Sequence, residues 1–149
     1  MKVTLSFSLI VSLVLAGASF AAADSGRFVE QFKLTGGQIV MIAEGETEPK
    51  SIGSYSVRIY SGAIPEFPTD DFITGIILPR DGVVDKVLLE DINGDDLVEI
   101  IVTQRSVGSG GYLAVDAIEY KDKTLRLMVS LNGLDPRSEP VVKLKEEIQ

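Results

Sequence analysis

The chain has 149 residues, of which 14 are basic and 22 acidic, and it contains neither cysteine nor histidine. These absences exclude disulfides, a cysteine nucleophile, a Ser-His-Asp triad and the usual zinc ligand sets. The formal net charge of -8 also argues against a nucleic acid partner, because phosphates require a basic surface. Any catalysis would have to rest on carboxylates, Lys, Tyr or a bound ion.

The N-terminus predicts a secretory signal peptide. Lys2 precedes the apolar run VTLSFSLIVSLVLAGASF, and residues 21–23 are all alanine, as the small-residue cleavage rule requires. The run is short for a membrane anchor, which needs about 20 apolar residues. We therefore predict a signal peptide at 1–23 and one domain at 24–149. The product would be an acidic periplasmic protein that is free of the membrane and, lacking cysteine, is not a lipoprotein.

Eight segments that are rich in β-branched and aromatic residues predict β-strands. They are 28–34, 38–44, 54–60, 72–78, 83–89, 97–104, 112–120 and 124–130. Short strands at this spacing predict an all-β fold, an antiparallel sandwich or barrel-like domain, with the sandwich favoured. In the seventh segment Leu113, Val115 and Ala117 are predicted to face the core, and the opposite face is mixed.

Glycine, asparagine and aspartate predict turns between these strands. The predicted turns are 35–37, 80–82, 93–94, 121–123 and 132–133. The C-terminal stretch SEPVVKLKEEIQ fits either a short helix with Pro140 in its first turn or an edge strand followed by a tail.

The acidic stretch DINGDDLVE, residues 91–99, is the first candidate site. Asp91, Asn93, Asp95 and Glu99 offer oxygen ligands at a spacing that calcium favours, although the EF-hand pattern is not met. The alternative is a solvated hairpin turn in which Asn93 and Gly94 adopt left-handed angles. A glycosidase using Glu99 and Asp116 is a further hypothesis, but nothing in the sequence places two acids in one cleft.

The stretch SVGSGGY, residues 106–112, is the second candidate site. It is not a phosphate loop, because no Lys or helix follows it, and it is not a nucleophile elbow, because Ser109 has no histidine to activate it. Two interpretations remain: a plain hairpin loop, or a protruding loop that presents a hydroxyl and a phenol to a concave partner.

At these residues the chain resembles the periplasmic inhibitors of invertebrate-type lysozyme. The resemblance rests on SIGSYSVRIY at 51–60, RDG at 80–82, DINGDDLVEIIV at 91–102 and RSVGSGGYLAVDAIEY at 105–120, with the S-G-x-Y loop as its specific part. It implies a β-rich periplasmic protein that is not an enzyme, needs no cofactor and blocks host lysozyme. It leaves a homodimer open.

The resemblance also implies which residues act. Ser109 and Tyr112 match the family's functional serine and tyrosine, whose polar groups would hydrogen-bond the catalytic carboxylates of lysozyme. Gly108, Gly110 and Gly111 would bring the backbone close to the cleft floor. We expect the flanking strands, together with Arg105 or the SIGSYSV segment, to brace the loop. A second contact through Ser54 and Tyr55 is a further hypothesis, and its alternative is that Tyr55 is a core residue. The alternative function is a calcium-dependent periplasmic binding module built on residues 91–99.

Overall fold

The computed structural model describes residues 26–149, so the predicted signal peptide at 1–23 lies outside the described residues. Eight strands and one helix follow one another along the chain. They are β1 Val29–Lys33, β2 Ile39–Glu44, β3 Ile52–Tyr60, β4 Phe72–Asp81, β5 Val83–Glu90, β6 Glu99–Arg105, β7 Leu113–Lys121, β8 Thr124–Leu134 and α1 Pro140–Glu147.

The strands form two antiparallel sheets in which chain neighbours pair. One sheet has the order β1-β2-β3-β4 and the other β5-β6-β7-β8. The two sheets share one apolar core, which is the arrangement of a β-sandwich. The predicted all-β fold of eight antiparallel strands is therefore confirmed.

Alternation along the strands builds the inner core between the sheets. On β3 the residues Tyr55, Val57 and Ile59 are buried, while the residues between them are only half-buried. They pack with inner residues of the other strands, Val40, Ile42, Leu78, Ile100, Val102 and Ile118 among them. This period of two places every second side chain in the core.

Strand β7 is buried on both faces, and its predicted orientation was wrong. Ile118 lies in the inner core, whereas Val115 and Ala117 belong to a second cluster together with Ile101 and Leu144. Leu144 comes from α1, which covers the outer face of this sheet. A helix can bury the apolar face that a two-layer sandwich would expose, so apolar character alone did not identify the inner face.

The helix settles the two C-terminal alternatives. It spans Pro140–Glu147 with proline in its first turn, where the missing N–H costs no hydrogen bond. No helix among residues 26–149 is long and apolar enough to cross a membrane.

Two predicted turns have other roles. Gly133 lies inside β8, where the register with β7 shifts and the strand bulges. Gly82 is the single residue between β4 and β5, so the chain changes sheets there. Its φ of 112° is one that glycine adopts without strain.

Candidate functional site

Residues 106–112 connect β6 to β7, the two central strands of their sheet. The loop is closed at its base by a hydrogen bond that the Ser106 N–H donates to the Tyr112 carbonyl at 2.9 Å. Nearer the tip, the Gly111 N–H donates to the Gly108 carbonyl at 3.1 Å. A short tip thus stands on two internal strands, which limits how far its base can move.

The two polar side chains of the S-G-x-Y pattern are exposed. Ser109 lies at the tip, and Tyr112 retains 55% of its accessible surface. Within residues 26–149 neither hydroxyl has a hydrogen-bond partner. Val107 is 59% exposed on the same loop, and the sequence reasoning missed it. Its signal was an apolar residue within an otherwise polar, glycine-rich connection.

The glycines of the loop meet different surroundings. A Cβ atom at Gly110 would lie 2.3 Å from Cε2 of Tyr112, so the ring folds back over this residue. Gly111 has a φ of 54°, and a Cβ at Gly108 or Gly111 would meet open space. In the free protein, therefore, Gly110 makes room for the Tyr112 ring, while close approach of the glycines to a partner stays a prediction.

Arg105 ties the loop to a neighbouring strand. Its Nη1 donates to the Gly111 carbonyl at 3.3 Å, and its Nη2 lies 2.8 Å from Oδ2 of Asp85. Asp85 sits in the bulge of β5, where the register against β6 shifts. Arg105 was predicted from the sequence but Asp85 was not, because the bulge that places this carboxylate next to Arg105 has no local sequence signal.

A buried arginine lies next to the base of the loop. Arg80 is almost inaccessible and donates to the carbonyl oxygens of Pro49, Lys50, Ser54 and Gly82. Oε1 of Glu44 lies 3.9 Å from Nε of Arg80, and Oε2 of Glu48 lies 3.8 Å from its Nη2.

Gly82, whose carbonyl accepts from Arg80, also lies against the loop, because a Cβ atom there would be 2.1 Å from the Arg105 carbonyl oxygen. This network holds the sheet crossing against the end of β6.

Ser54 and Tyr55, proposed as a second contact, have separate roles. Ser54 is half-buried, and its hydroxyl donates to Oε1 of Glu48 at 2.8 Å. Tyr55 is fully buried, and its hydroxyl donates to Oδ2 of Asp116 at 2.6 Å. Burial, reinforced by the Asp116 charge, raises the pKa of the Tyr55 phenol far above its ordinary value. Tyr55 is therefore a core residue, the alternative stated from the sequence, and it is not a second contact, because its side chain has no surface to offer a partner.

The acidic loop turns its oxygens toward its own backbone. Asp91 accepts from the N–H groups of Gly94 and Asp96, and Asn93 and Asp95 each accept from the N–H two residues ahead. The bonds to Asp91, that from Gly94 foremost, lower its carboxyl pKa. Glu99 accepts from the Ile92 N–H at 2.9 Å, and burial raises its pKa.

This arrangement is that of a hairpin built on Asx turns. Left-handed angles occur at Gly94 and Asp96, not at Asn93 as predicted. No group of three or more acidic side chains within residues 26–149 is arranged to hold a metal ion.

The glycosidase hypothesis is also contradicted by the fold. Asp116 is the register partner of Val102, an inner-core residue, whereas Glu99 alternates with the inner residue Ile100 on β6. The two carboxylates therefore lie on opposite faces of the sheet and share no cleft.

Residues 26–148 match the family model of the periplasmic lysozyme inhibitor of I-type lysozyme, PliI. The crystal structure of PliI-Ah from Aeromonas hydrophila is similar, with a TM-score of 0.74 and 45% identity over 78% of this chain and 98% of that one. A. hydrophila PliI in complex with Meretrix lusoria lysozyme matches with a TM-score of 0.74 and 44% identity, over 80% of this chain and 95% of that one. Comparison with curated proteins gave no match.

Proposed function

The chain belongs to the family of periplasmic lysozyme inhibitors of I-type lysozyme, and from this premise we propose that residues 106–112 are the part that enters the active-site cleft of the enzyme. The protein is an inhibitor and not an enzyme, and it acts in the periplasm. Its partner is a lysozyme, as it is for the similar A. hydrophila inhibitor. We further propose that residues 1–23 direct export and are removed from the domain at 24–149.

The observation that carries the loop proposal is an exposed tip on a restrained base. Ser109 and Tyr112 are accessible, while the Ser106 bond and the Arg105 contact fix the two ends of the loop. Binding then has to order few groups, so less of the contact energy is lost to conformational entropy.

The two hydroxyls suit a cleft that contains catalytic carboxyl groups. Glycosidases of the common kind use one protonated and one ionised carboxyl group. A hydroxyl both donates and accepts, so Ser109 and Tyr112 are each able to pair with either form. The Tyr112 ring would fill space that a sugar ring takes, and exposed Val107 would add apolar contact beside it.

Ser109→Ala and Tyr112→Ala test this proposal. Each should weaken inhibition of an I-type lysozyme such as that of Meretrix lusoria by about tenfold or more, since both groups would be central to the interface. Phe67→Ala is the matched control, because it removes another exposed aromatic ring away from the loop. Inhibition constants and melting temperatures should be measured together, and the melting temperatures should change little.

Stoichiometric inhibition by the double variant Ser109→Ala/Tyr112→Ala would overturn the loop mechanism. Equal weakening by Phe67→Ala would do so too, because the effect would then not be specific to the loop.

A further inference from the structure

A cleft opens between the facing edges of the two sheets, beside the base of the loop. It has a volume of about 490 Å³ and lies between β4 and β8. Ile52, Leu78, Pro79 and Leu127 give it apolar walls, and Gln104 and Asp116 lie among its polar lining residues. Arg80 and Asp81 of its lining lead into Gly82, where a Cβ atom would lie 2.1 Å from the Arg105 carbonyl oxygen at the base of the loop. The cleft therefore lies beside the base of the loop that is proposed to meet lysozyme.

Asp116 is a carboxylate that is buried without a cation. Only 5% of the residue is exposed, and its Oδ2 accepts from the Tyr55 hydroxyl at 2.6 Å and from Nε2 of Gln104 at 2.8 Å. None of the ion pairs among residues 26–149 includes it. Buried charges are usually paired, because neutral donors offset only part of the lost hydration.

The nearest cation of the cleft is already engaged. Arg80 also lines it, but its guanidinium donates to four carbonyl groups and lies between Glu44 and Glu48. Asp81 adds another carboxyl group at the rim. The lining thus combines excess negative charge with aliphatic walls, which suits a long side chain that ends in a positive charge.

We propose that this cleft receives a lysine or arginine side chain of the bound lysozyme, whose positive head pairs with Asp116 while its stem lies against Ile52, Leu78 and Leu127. This inference rests on the proposed function. It adds a second point of attachment in which the enzyme, and not the inhibitor, supplies the inserted group. Position beside the base of the loop and complementarity of charge are the reasons for assigning the occupant to lysozyme.

A residue on β8, the neighbour of β7, offers a way to place a cation in the cleft from the inhibitor itself. Ser130 on β8 is the register partner of Asp116 on β7, so both side chains lie on the same face. Side chains opposite each other on neighbouring strands have Cβ atoms about 5 Å apart. Ser130 is exposed and lines the cleft, so a lysine there would supply the missing cation without disturbing the Tyr55 and Gln104 bonds.

The first experiment compares Asp116→Asn with Asp122→Asn. Both remove one negative charge, but Asp122 lies in the β7–β8 turn, at the opposite end of β7 from the loop. Dissociation from M. lusoria lysozyme should be about tenfold faster for Asp116→Asn and unchanged for Asp122→Asn, because losing one member of a buried charge pair acts mainly on dissociation. Equal rates for the two variants would overturn the inference.

The second experiment uses Ser130→Lys, with Ser130→Gln as its uncharged counterpart. Ser130→Lys should raise the melting temperature of the free inhibitor and also speed dissociation of the complex, whereas Ser130→Gln should not raise the melting temperature. A purely structural role of Asp116 would give the first effect without the second, and that result overturns the inference. This pair keeps the test decisive even where Asp116→Asn fails to fold.

A third experiment uses a small organic cation, to separate binding of a free cation from binding of a lysozyme side chain. N-butylguanidinium should shift the amide resonances of Gln104 and Asp116 in the free inhibitor and should compete with lysozyme. Binding without competition would make the cleft a site for free organic cations and would overturn the lysozyme assignment. In every arm the unmodified protein must inhibit lysozyme, and its failure to do so would count against the proposed function instead.

Discussion

Gly82 shows how much a single residue does in this fold. It is the whole connection between the two sheets, its φ is 112°, and its N–H donates to the Ser51 carbonyl at 2.9 Å. The site of a Cβ atom is taken by the Arg105 backbone, so the sheet crossing and the base of the loop touch at this position. A side chain here would have to displace backbone and not another side chain.

Gly82→Ala should therefore lower the free energy of unfolding by about 3 kcal/mol or more, because left-handed strain and a backbone clash add together. Urea denaturation gives this value. Gly94→Ala is the control, since its φ of 82° is also left-handed but a Cβ there would meet nothing within 4 Å. That variant should lose only about 1 kcal/mol, and equal losses would contradict the role given to the clash.

At the scale of elements, the bulge in β5 controls the loop between β6 and β7. Regular pairing resumes on either side of Asp85, and the bulged residue reaches Arg105, which holds the Gly111 carbonyl. Bulges commonly redirect a side chain in this way. The loop is thus supported by a strand with which it is not contiguous.

Asp85→Asn should weaken lysozyme inhibition severalfold and change the free energy of unfolding by less than about 1 kcal/mol, because the ion pair is half-exposed. Glu119→Gln is the control, since it breaks the ion pair with another exposed arginine, Arg126, away from the loop. Inhibition assays and urea denaturation on both variants separate the two effects. Normal inhibition by Asp85→Asn would show that the loop does not need this support.

The sequence predicted all eight strands, because the period of two and the Gly, Asn and Asp turns are local signals. The sequence also indicated Ser109, Tyr112 and Arg105 as candidate site residues.

The inner face of β7 was not predicted, because α1 buries the opposite face of this strand. The bulge that contains Gly133 was not predicted either. The contact between Tyr55 and Asp116 was not predicted either, because these residues lie 61 positions apart and meet only when the sheets pack.

For the whole molecule, carboxyl groups with shifted pKa values make stability depend on pH. Hydrogen bonds from Ser54 lower the pKa of Glu48. Backbone hydrogen bonds from Gly94 and Asp96 lower the pKa of Asp91. Hydrogen bonds from Arg137 lower the pKa of Asp135. A lowered pKa contributes stability above the unfolded value, and that stability is lost as pH falls through the folded value. Buried Glu99 has a raised pKa, so its contribution has the opposite sign.

The free energy of unfolding should accordingly fall as the pH is lowered below about 4, near the ordinary pKa values of 3.8 and 4.5 for these groups. Asp91→Asn should make this decline shallower, because it removes one of the groups that must take up a proton. Urea midpoints measured between about pH 6 and pH 2.5 give both curves. Parallel curves for the two proteins would show that the bonds to Asp91 do not stabilise the fold.

The single-residue crossing at Gly82 also has a consequence for how the chain folds. Each sheet is a contiguous stretch of sequence in which every strand pairs with its neighbour along the chain, so all the hairpins form between nearby segments. Loop-closure entropy is therefore small until the two halves dock, which favours fast folding for a β-protein. Because the sequence contains no cysteine, docking of the two sheets needs no disulfide to form.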